Sequence, residues 1–246
     1  KGFAFEIERH RRIERFRRAG YGGCVSDALY GLGVRTTVFS DRFKPLRQGM
    51  QIVGRAITVK LHSQAGMDDD PEVRAQLEKK WEAEGGHPQK IMMRTVATEA
   101  PGSILCFDCG GDMQPAQFGE MSCQLAYAHG CRGMLLAGNC RDTQYVLKMP
   151  DFPMYTFGTR PNAFGGWRVH EVNVPIFLPG HITHYVRVNP GDFIFGDNDG
   201  VQLIPKDLVD EVLLQVEATS AKENEEREQL ASGMPIDEVY RVFGVL

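Results

Sequence analysis

Residues 103–142 read SILCFDCGGDMQPAQFGEMSCQLAYAHGCRGMLLAGNCRD, and the alternation inside this stretch decides the fold class. Ser103 to Cys109 is a short apolar run closed by glycines, the pattern of a buried strand. Residues 120–129 carry helical spacing and stop near Gly130, a residue that ends helices without steric cost. Gly133-Met134-Leu135-Leu136-Ala137-Gly138 is a second buried strand. Strand, helix, strand in that order is a βαβ unit, which predicts an α/β domain with parallel pairing.

The same rhythm extends outward. Residues 91–100 predict a short helix and 152–157 another strand. Met50 to Leu61 is rich in β-branched residues and predicts one or two strands. Beyond it the chain is strand-rich at 174–178, 182–188, 192–195 and 200–204. Asn189-Pro190-Gly191-Asp192 and Gly196-Asp197-Asn198-Asp199-Gly200 are the turns between them. The second turn begins like a calcium loop but lacks the remaining ligands and the terminal Glu, so it reads as a tight turn. Pro205 leads into a long helix over 206–231, with Leu208, Val212, Leu213 and Val216 at helical spacing. Its second half, Lys222 to Glu228, is polar all round and predicts exposure or reach toward a neighbouring subunit.

Toward the N-terminus, 5–19 predicts a helix with an apolar face of Ile7, Ile13 and Phe16. Arg9, Arg11, Arg12, Arg15, Arg17 and Arg18 surround that face; they suit phosphate contact or pairing with acidic neighbours. Ser26 fits the N-cap of a short helix that Gly31 and Gly33 would end. Residues 63–90 break the pattern. Asp68-Asp69-Asp70, a charged stretch to Trp81 and Gly85-Gly86-His87-Pro88 read as an inserted, partly helical excursion capped by an Asp. The acidic run suits a cation or, more often, a helix cap. With no internal repeat or low-complexity linker, residues 1–246 read as one domain with an N-terminal helical extension 1–20 and the insertion 63–90.

Composition narrows the class. Among 246 residues, 28 basic against 32 acidic side chains give a net charge of −4, which argues against a nucleic-acid-binding field and for a solvated arginine face paired with acidic neighbours or a partner subunit. The 27 glycines lack a three-residue period, which excludes collagen. No apolar run nears the roughly 18 residues of a membrane span, and no signal peptide is recognisable. The chain opens on Lys1, not methionine, which leaves room for preceding sequence. Without a secretory signal, Cys24, Cys106, Cys109, Cys123, Cys131 and Cys140 read as reduced thiols of a cytoplasmic protein. Cys106 and Cys109 form a C-x-x-C, a zinc half-site or redox pair; inside a buried strand they read as small hydrophobes. His181 and His184 suit a metal only if helical; in the expected strand they point to opposite faces.

The chemistry-bearing segment is Gly119-Glu120 with Arg141-Asp142. Gly119 precedes a helix, so the amides of residues 120–122 are free donors at a positive helix end, where a carboxylate or phosphate binds. The strand at 133–138 delivers Arg141 and Asp142 to its C-terminal edge, where open α/β sheets bind ligands. Arg141 suits an oxyanion and Asp142 a hard cation. Together they suit an enzyme that stabilises an enolate, unless the pair merely caps a turn.

Taken in order, several segments resemble one family. These are Val25-Ser26-Asp27-Ala28-Leu29, Ile52-Val53-Gly54-Arg55-Ala56-Ile57-Thr58-Val59, Gly119-Glu120, Arg141-Asp142, Pro190-Gly191-Asp192, and Asp197-Asn198-Asp199-Gly200-Val201 before Pro205. Over residues 20–62 and 91–233 the chain resembles the RraA-like family of 4-hydroxy-4-methyl-2-oxoglutarate aldolases and regulators of ribonuclease E activity. The resemblance implies a swivelling β/β/α fold with peripheral N- and C-terminal helices, assembled as a homotrimer or homohexamer with sites between subunits. It implies a divalent-metal-dependent (class II) pyruvate aldolase, often also an oxaloacetate decarboxylase. By position it implies that Arg141 contacts the 2-oxo acid and its enolate, and that Asp142 binds Mg²⁺ or Mn²⁺. It implies that the loop Gly119, Glu120, Met121 and Ser122 holds the substrate carboxylate, with Glu120 as its acid. Glu223 and Glu226 are candidates for an acid offered to a neighbouring subunit's site.

Three departures stand out. Tyr145 occupies the position of a further family acid, Ala137-Gly138 replaces a common Asp-Gly, and the insertion has no recognised counterpart. Two other functions compete: a non-catalytic modulator of a ribonuclease, and an enolate-forming enzyme for a larger acid. For the latter, Phe152, Tyr155, Phe157, Phe164 and Trp167 would line a wider pocket or, in the plainer reading, pack the core.

Overall fold

Apolar side chains at period two build one large sheet, and its two faces select different covers. The computed structural model describes residues 2–63, 70–99, 101–163 and 167–244. In chain order the strands are β1 (Lys44–Pro45), β2 (Ile52–Ser63), β3 (Ser103–Asp108), β4 (Ala116–Phe118), β5 (Cys131–Cys140), β6 (Met154–Thr159), β7 (Trp167–Val172), β8 (Ile176–Pro179), β9 (Tyr185–Val188), β10 (Phe193–Gly196) and β11 (Val201–Ile204). The helices are α1 (Gly2–Ala19), α2 (Gly22–Gly31), α3 (Pro71–Ala83), α4 (Pro88–Glu99), α5 (Glu120–Ala128), α6 (Thr143–Val146), α7 (Val209–Ala231) and α8 (Ile236–Phe243). A 3₁₀ turn at Lys206–Leu208 leads into α7.

The sheet runs β1-β6-β5-β3-β2-β10-β11, with β4 added to β5 and β7 to β2. The β2, β3, β5 and β6 pairings are parallel, as the βαβ rhythm predicts. The later strands pair antiparallel: β10 with β2 and β11, and β8 with β9. Leu105, Phe107, Met134 and Leu136 point to one face, against Met92 and Val96 of α4 and Cys123 and Ala126 of α5. Ile104, Cys106, Leu135 and Ala137 point to the other, under Ile176, Leu178, Val186 and Val188 of the β8–β9 hairpin. Hairpin, sheet and helices are the β/β/α layers. A third cluster joins Phe16 of α1, Val25 and Leu29 of α2 and Val212, Leu213 and Val216 of α7 to Phe193 and Phe195 of β10. Each such buried side chain contributes about 1.5–3 kcal/mol of transfer free energy.

Several expectations are corrected. Ser26 is inside α2, not its N-cap; the helix starts at Gly22 behind Tyr21. The first amide of α2 is satisfied from afar, donating 2.6 Å to Asp197 Oδ2 in the β10–β11 turn, a cap no local sequence pattern announces. Helix α4 begins at Pro88, so 88–90 belong to it and not to an excursion. The strand read at 182–188 begins at Tyr185. His181 and His184 lie in the bend before it, so the opposite-face reading does not apply to them. The second half of α7 is polar all round as read, but it is not exposed throughout, because Glu226 is buried. Strands β4 and β7 and helix α8 escape the sequence reading. Strand β4 has three residues, too few for a period, and β7 mixes Arg168, His170 and Glu171 into its alternation. Helix α8 carries an apolar stripe of Ile236, Val239, Tyr240 and Phe243 at helical spacing that the sequence reading passed over, although only Val239 of it is buried.

Other readings meet their structural places. Asp70 caps α3, accepting from the amides of Glu72 and Val73 at 2.9 and 3.2 Å; Asp68 and Asp69 lie outside the described residues. Cys106 belongs to the hairpin-side core and Cys109 to the helix-side core, so the C-x-x-C cannot close on one ion. Arginines of α1 pair inside the chain: Arg12 with Asp210 (2.8 Å), Arg15 with Glu217 (2.6 Å) and Arg17 with Asp151 (2.7 Å). Phe152 and Tyr155 are core residues, Phe157 packs on the core, and Phe164 and the Trp167 side chain lie outside the described residues. Among the described residues no helix is long and apolar enough to cross a membrane.

Candidate functional site

The site assembles where β5 ends. Its last residues are held by a buried amide network. Gln117 Oε1 accepts from Asn139 N at 2.7 Å, and Asn139 Nδ2 donates to the carbonyls of Met113 (2.7 Å) and Pro115 (3.2 Å). Short β4 thereby lies along the end of β5, with Ala116 opposite Asn139 and Phe118 opposite Cys140. Arg141 N then donates to Phe118 O at 2.9 Å. In this way Gly119 and Arg141, distant in sequence, become neighbours.

At Gly119 the approach is close. A Cβ there would stand 2.7 Å from Asp142 Oδ2 and 3.1 Å from Arg141 Nε, so only glycine leaves both groups in place. Gly119 is the N-cap of α5, and Glu120 N points at Asp142 Oδ2 across 3.4 Å. Arg141 Nε lies 3.5 Å from the same oxygen. Asp142 is left-handed (φ 58°, ψ 30°), a conformation aspartate tolerates better than most residues and one that concentrates at functional sites. Both side chains remain accessible, 41% and 44% exposed, so a ligand can reach them.

Arg141 and Asp142 face an open cleft of about 430 Å³, lined also by Thr143, Gln144, Thr159 and Arg160. Arg160 is anchored where its amide donates to Cys140 O (3.0 Å), and it places a second guanidinium at the rim. The Cys140 thiol, next to Arg141, is pushed up to about 12, chiefly by burial, so it is no nucleophile near neutrality. Tyr145 is exposed on α6 with Lys148 over its ring at 5.1 Å.

The structure brings together Gly119, the Glu120 amide, Arg141 and Asp142. Met121 is exposed on the first turn of α5, and Ser122 Oγ turns toward α4, accepting from Gln89 Nε2 at 3.5 Å. Glu223 and Glu226 are engaged in their own chain. Glu223 accepts from the Tyr21 hydroxyl and from Arg227 (2.6 Å), and Glu226 pairs with Lys222 (3.3 Å). Sequence reading missed Gln117, Asn139 and Arg160. The available signal was Asn139, an amide inside an otherwise apolar strand, which a buried position forces into hydrogen bonds.

Comparison with known proteins identifies the family. The RraA-like family model (Aldolase/RraA) matches residues 23–203. A Halalkalibacterium halodurans protein named "Putative 4-hydroxy-4-methyl-2-oxoglutarate aldolase" is 32% identical over 209 residues, covering 85% of this chain and 83% of its own length. The Thermus thermophilus protein named 4-hydroxy-4-methyl-2-oxoglutarate aldolase is 28% identical over 116 residues, covering 47% of this chain and 67% of its own. Among solved structures, Streptomyces coelicolor RraAS2, described as an unusual member of the RNase ES inhibitor RraA protein family, has a TM-score of 0.65 at 20% identity. That match covers 92% of this chain and 98% of that one, and concerns the fold. With the model spanning most of the chain and a relative of this similarity along most of its length, the protein belongs to the RraA-like family.

Proposed function

We propose that this protein is a lyase that cleaves a 4-hydroxy-2-oxo acid of the 4-hydroxy-4-methyl-2-oxoglutarate type to pyruvate, with Mg²⁺ or Mn²⁺ at Asp142. The observation that carries the reading is the close approach of the Gly119 backbone to the accessible Arg141–Asp142 pair. The aldolase names of the relatives support the reaction class.

The first-turn amides of α5 receive the substrate carboxylate, as helix N-termini do. The Arg141 guanidinium lies beside the 2-keto oxygen. Glu120, the acid on that turn, takes the proton of the C4 hydroxyl. The C4–O pair forms the carbonyl of the departing fragment, the C3–C4 pair moves between C3 and the keto carbon to leave an enolate whose charge Arg141 opposes, and return of the proton to C3 releases pyruvate. Oxaloacetate would reach the same enolate by losing CO₂, with no base required. Asp142 fits a metal in a specific sense: among the described residues its Oδ2 has only long polar contacts, a 3.4 Å hydrogen bond from Glu120 N and Arg141 Nε at 3.5 Å, so lone pairs stay available. A single carboxylate suits a hard dication that keeps waters and takes substrate oxygens. When bound, such an ion supplies Lewis-acid polarisation of the keto oxygen.

The reading extends to a homotrimer or homohexamer. For Glu223 or Glu226 to serve a neighbour's site, the acid must first leave its own partner, Tyr21 and Arg227 or Lys222. A modulator of a ribonuclease would find support in Tyr145 and in the arginine-rich helix, but Arg12, Arg15 and Arg17 of that helix are committed to carboxylates of the same chain. The test is pyruvate release from 4-hydroxy-2-oxo acids and oxaloacetate, with Mg²⁺ or with chelator. Arg141→Ala and Asp142→Ala are expected to lower turnover about 10²–10³-fold, the usual effect of deleting an oxyanion stabiliser. Near-wild-type turnover in either variant overturns the assignment.

A further inference from the structure

A second cavity lies at the opposite edge of the sheet, where β3 begins. Ser103 of β3 is the register partner of Arg55 in parallel β2, and Arg55 is in turn the partner of Phe193 in β10. Partners on adjacent strands project to the same side, so Ser103, Arg55 and Phe193 form one row. On the other flank of β3, Ser103 pairs with Cys131, the first residue of β5. Strand β5 is ten residues long, so roughly 30 Å separates this row from the Arg141–Asp142 cleft.

The cavity, about 290 Å³, is at the small end of ligand pockets. Its walls combine two chemistries. Ile13 of α1, Phe193 and Val209 of α7 are apolar and buried. Arg12, Arg55 and Lys206 are cationic, with the Glu99 carboxylate beside them. Arg12 is matched by Asp210 at 2.8 Å and Arg55 by Glu99 at 2.7 Å. Lys206, in the 3₁₀ turn, pairs with no carboxylate among the described residues. One cation is therefore unanswered.

The second observation is independent of charge. Ser103 is 2% exposed and lines the cavity, yet its hydroxyl has no hydrogen-bond partner among the described residues. A buried hydroxyl left unpaired costs about 1–3 kcal/mol, and such exceptions call for a missing partner. The rim around it is fixed in advance. Buried Asp192 accepts from Asn189 N (2.8 Å), Asn189 Nδ2 (3.2 Å) and Lys206 N (3.1 Å), tying the 189–192 turn to the lysine. Gly191, at φ +90°, passes close to Arg55; a Cβ there would lie 3.2 Å from its Nε.

We propose that this cavity is a binding site for a small organic monoanion, separate from the Arg141–Asp142 cleft. Its carboxylate takes the Ser103 hydroxyl and the charges of Lys206 and Arg55, and its hydrocarbon body lies on Ile13, Phe193 and Val209. One unanswered cation matches one negative charge.

Benzoate is the probe, with inorganic phosphate as the comparison, titrated calorimetrically against the full chain. Saturable benzoate binding is expected, tighter than phosphate because phosphate gains nothing from the apolar wall. Lys206→Glu changes an exposed side chain and is expected to weaken benzoate at least about tenfold, the cost of replacing an attraction by a repulsion. Ser103→Ala removes only the hydroxyl and is expected to weaken it severalfold. Arg141→Ala is expected to leave benzoate affinity unchanged. The proposal is overturned if benzoate shows no saturable binding up to about 10 mM, if phosphate binds as tightly, if Lys206→Glu has no effect, or if Arg141→Ala abolishes binding.

Discussion

A methyl group decides the most at position 119. The backbone there (φ −121°) suits any residue, so Gly119→Ala threatens the site and not the fold. The new Cβ would stand 2.7 Å from Asp142 Oδ2, and the carboxylate would have to move. A misplacement near 1 Å commonly costs about 10²-fold in rate. Gly119→Ala is therefore expected to lower kcat/KM by about one to two orders of magnitude while leaving the urea midpoint nearly unchanged. A variant that loses both together would mean that the glycine serves folding.

At the scale of elements, the start of α4 carries a titrating cap. His87 Nδ1 accepts from Gln89 N at 3.1 Å, which only a ring unprotonated at that nitrogen can do. Burial, with a smaller push from the positive charge of Arg168, holds the His87 pKa below its usual value, while the ring lies edge-on to Trp81 at 4.5 Å. As pH falls through about 6.5, the unfolded chain takes up this proton before the folded chain does. The contribution is thus fully present above that pH and is lost below it. The site is exposed, so the loss is at most about 1 kcal/mol, the worth of one cap. Protection of the Gln89 amide against hydrogen exchange is expected to fall between pH 7 and 5, and to become flat with pH in His87→Asn, which caps without titrating.

Elements also divide what the sequence discloses from what it hides. The parallel strands at 103–108 and 131–140 and helices α1, α5 and α7 announce themselves because a single period governs each burial face. The position of Arg141 and Asp142 just past the end of β5 was readable for the same reason, while their proposed roles came from the family resemblance. The start of α2 was not readable, because its satisfying carboxylate is 175 residues away. The Gln117–Asn139 contact, which aligns Gly119 with Arg141, is likewise a tertiary pairing without local period.

For the whole molecule, Asp197 is a junction. Its side chain accepts from Gly22 N (2.6 Å) and Asp199 N (3.0 Å), and its carbonyl accepts from the Tyr155 hydroxyl (2.9 Å). One residue thus ties α2, the β10–β11 turn and β6, joining the third core cluster to the sheet's centre. Asp197→Ala removes the side-chain contacts and leaves a helix start uncapped. It is expected to cost about 1–2 kcal/mol, read as a lower urea midpoint at unchanged slope. No change in midpoint would show the junction to be dispensable.

All six cysteines are free and buried, spread over every core cluster from Cys24 on α2 to Cys140 beside the site. A water-soluble alkylating reagent therefore finds no thiol to consume in the closed molecule. Each cysteine becomes a clock for its own neighbourhood, and the order in which the six are labelled maps the sequence in which the layers come apart.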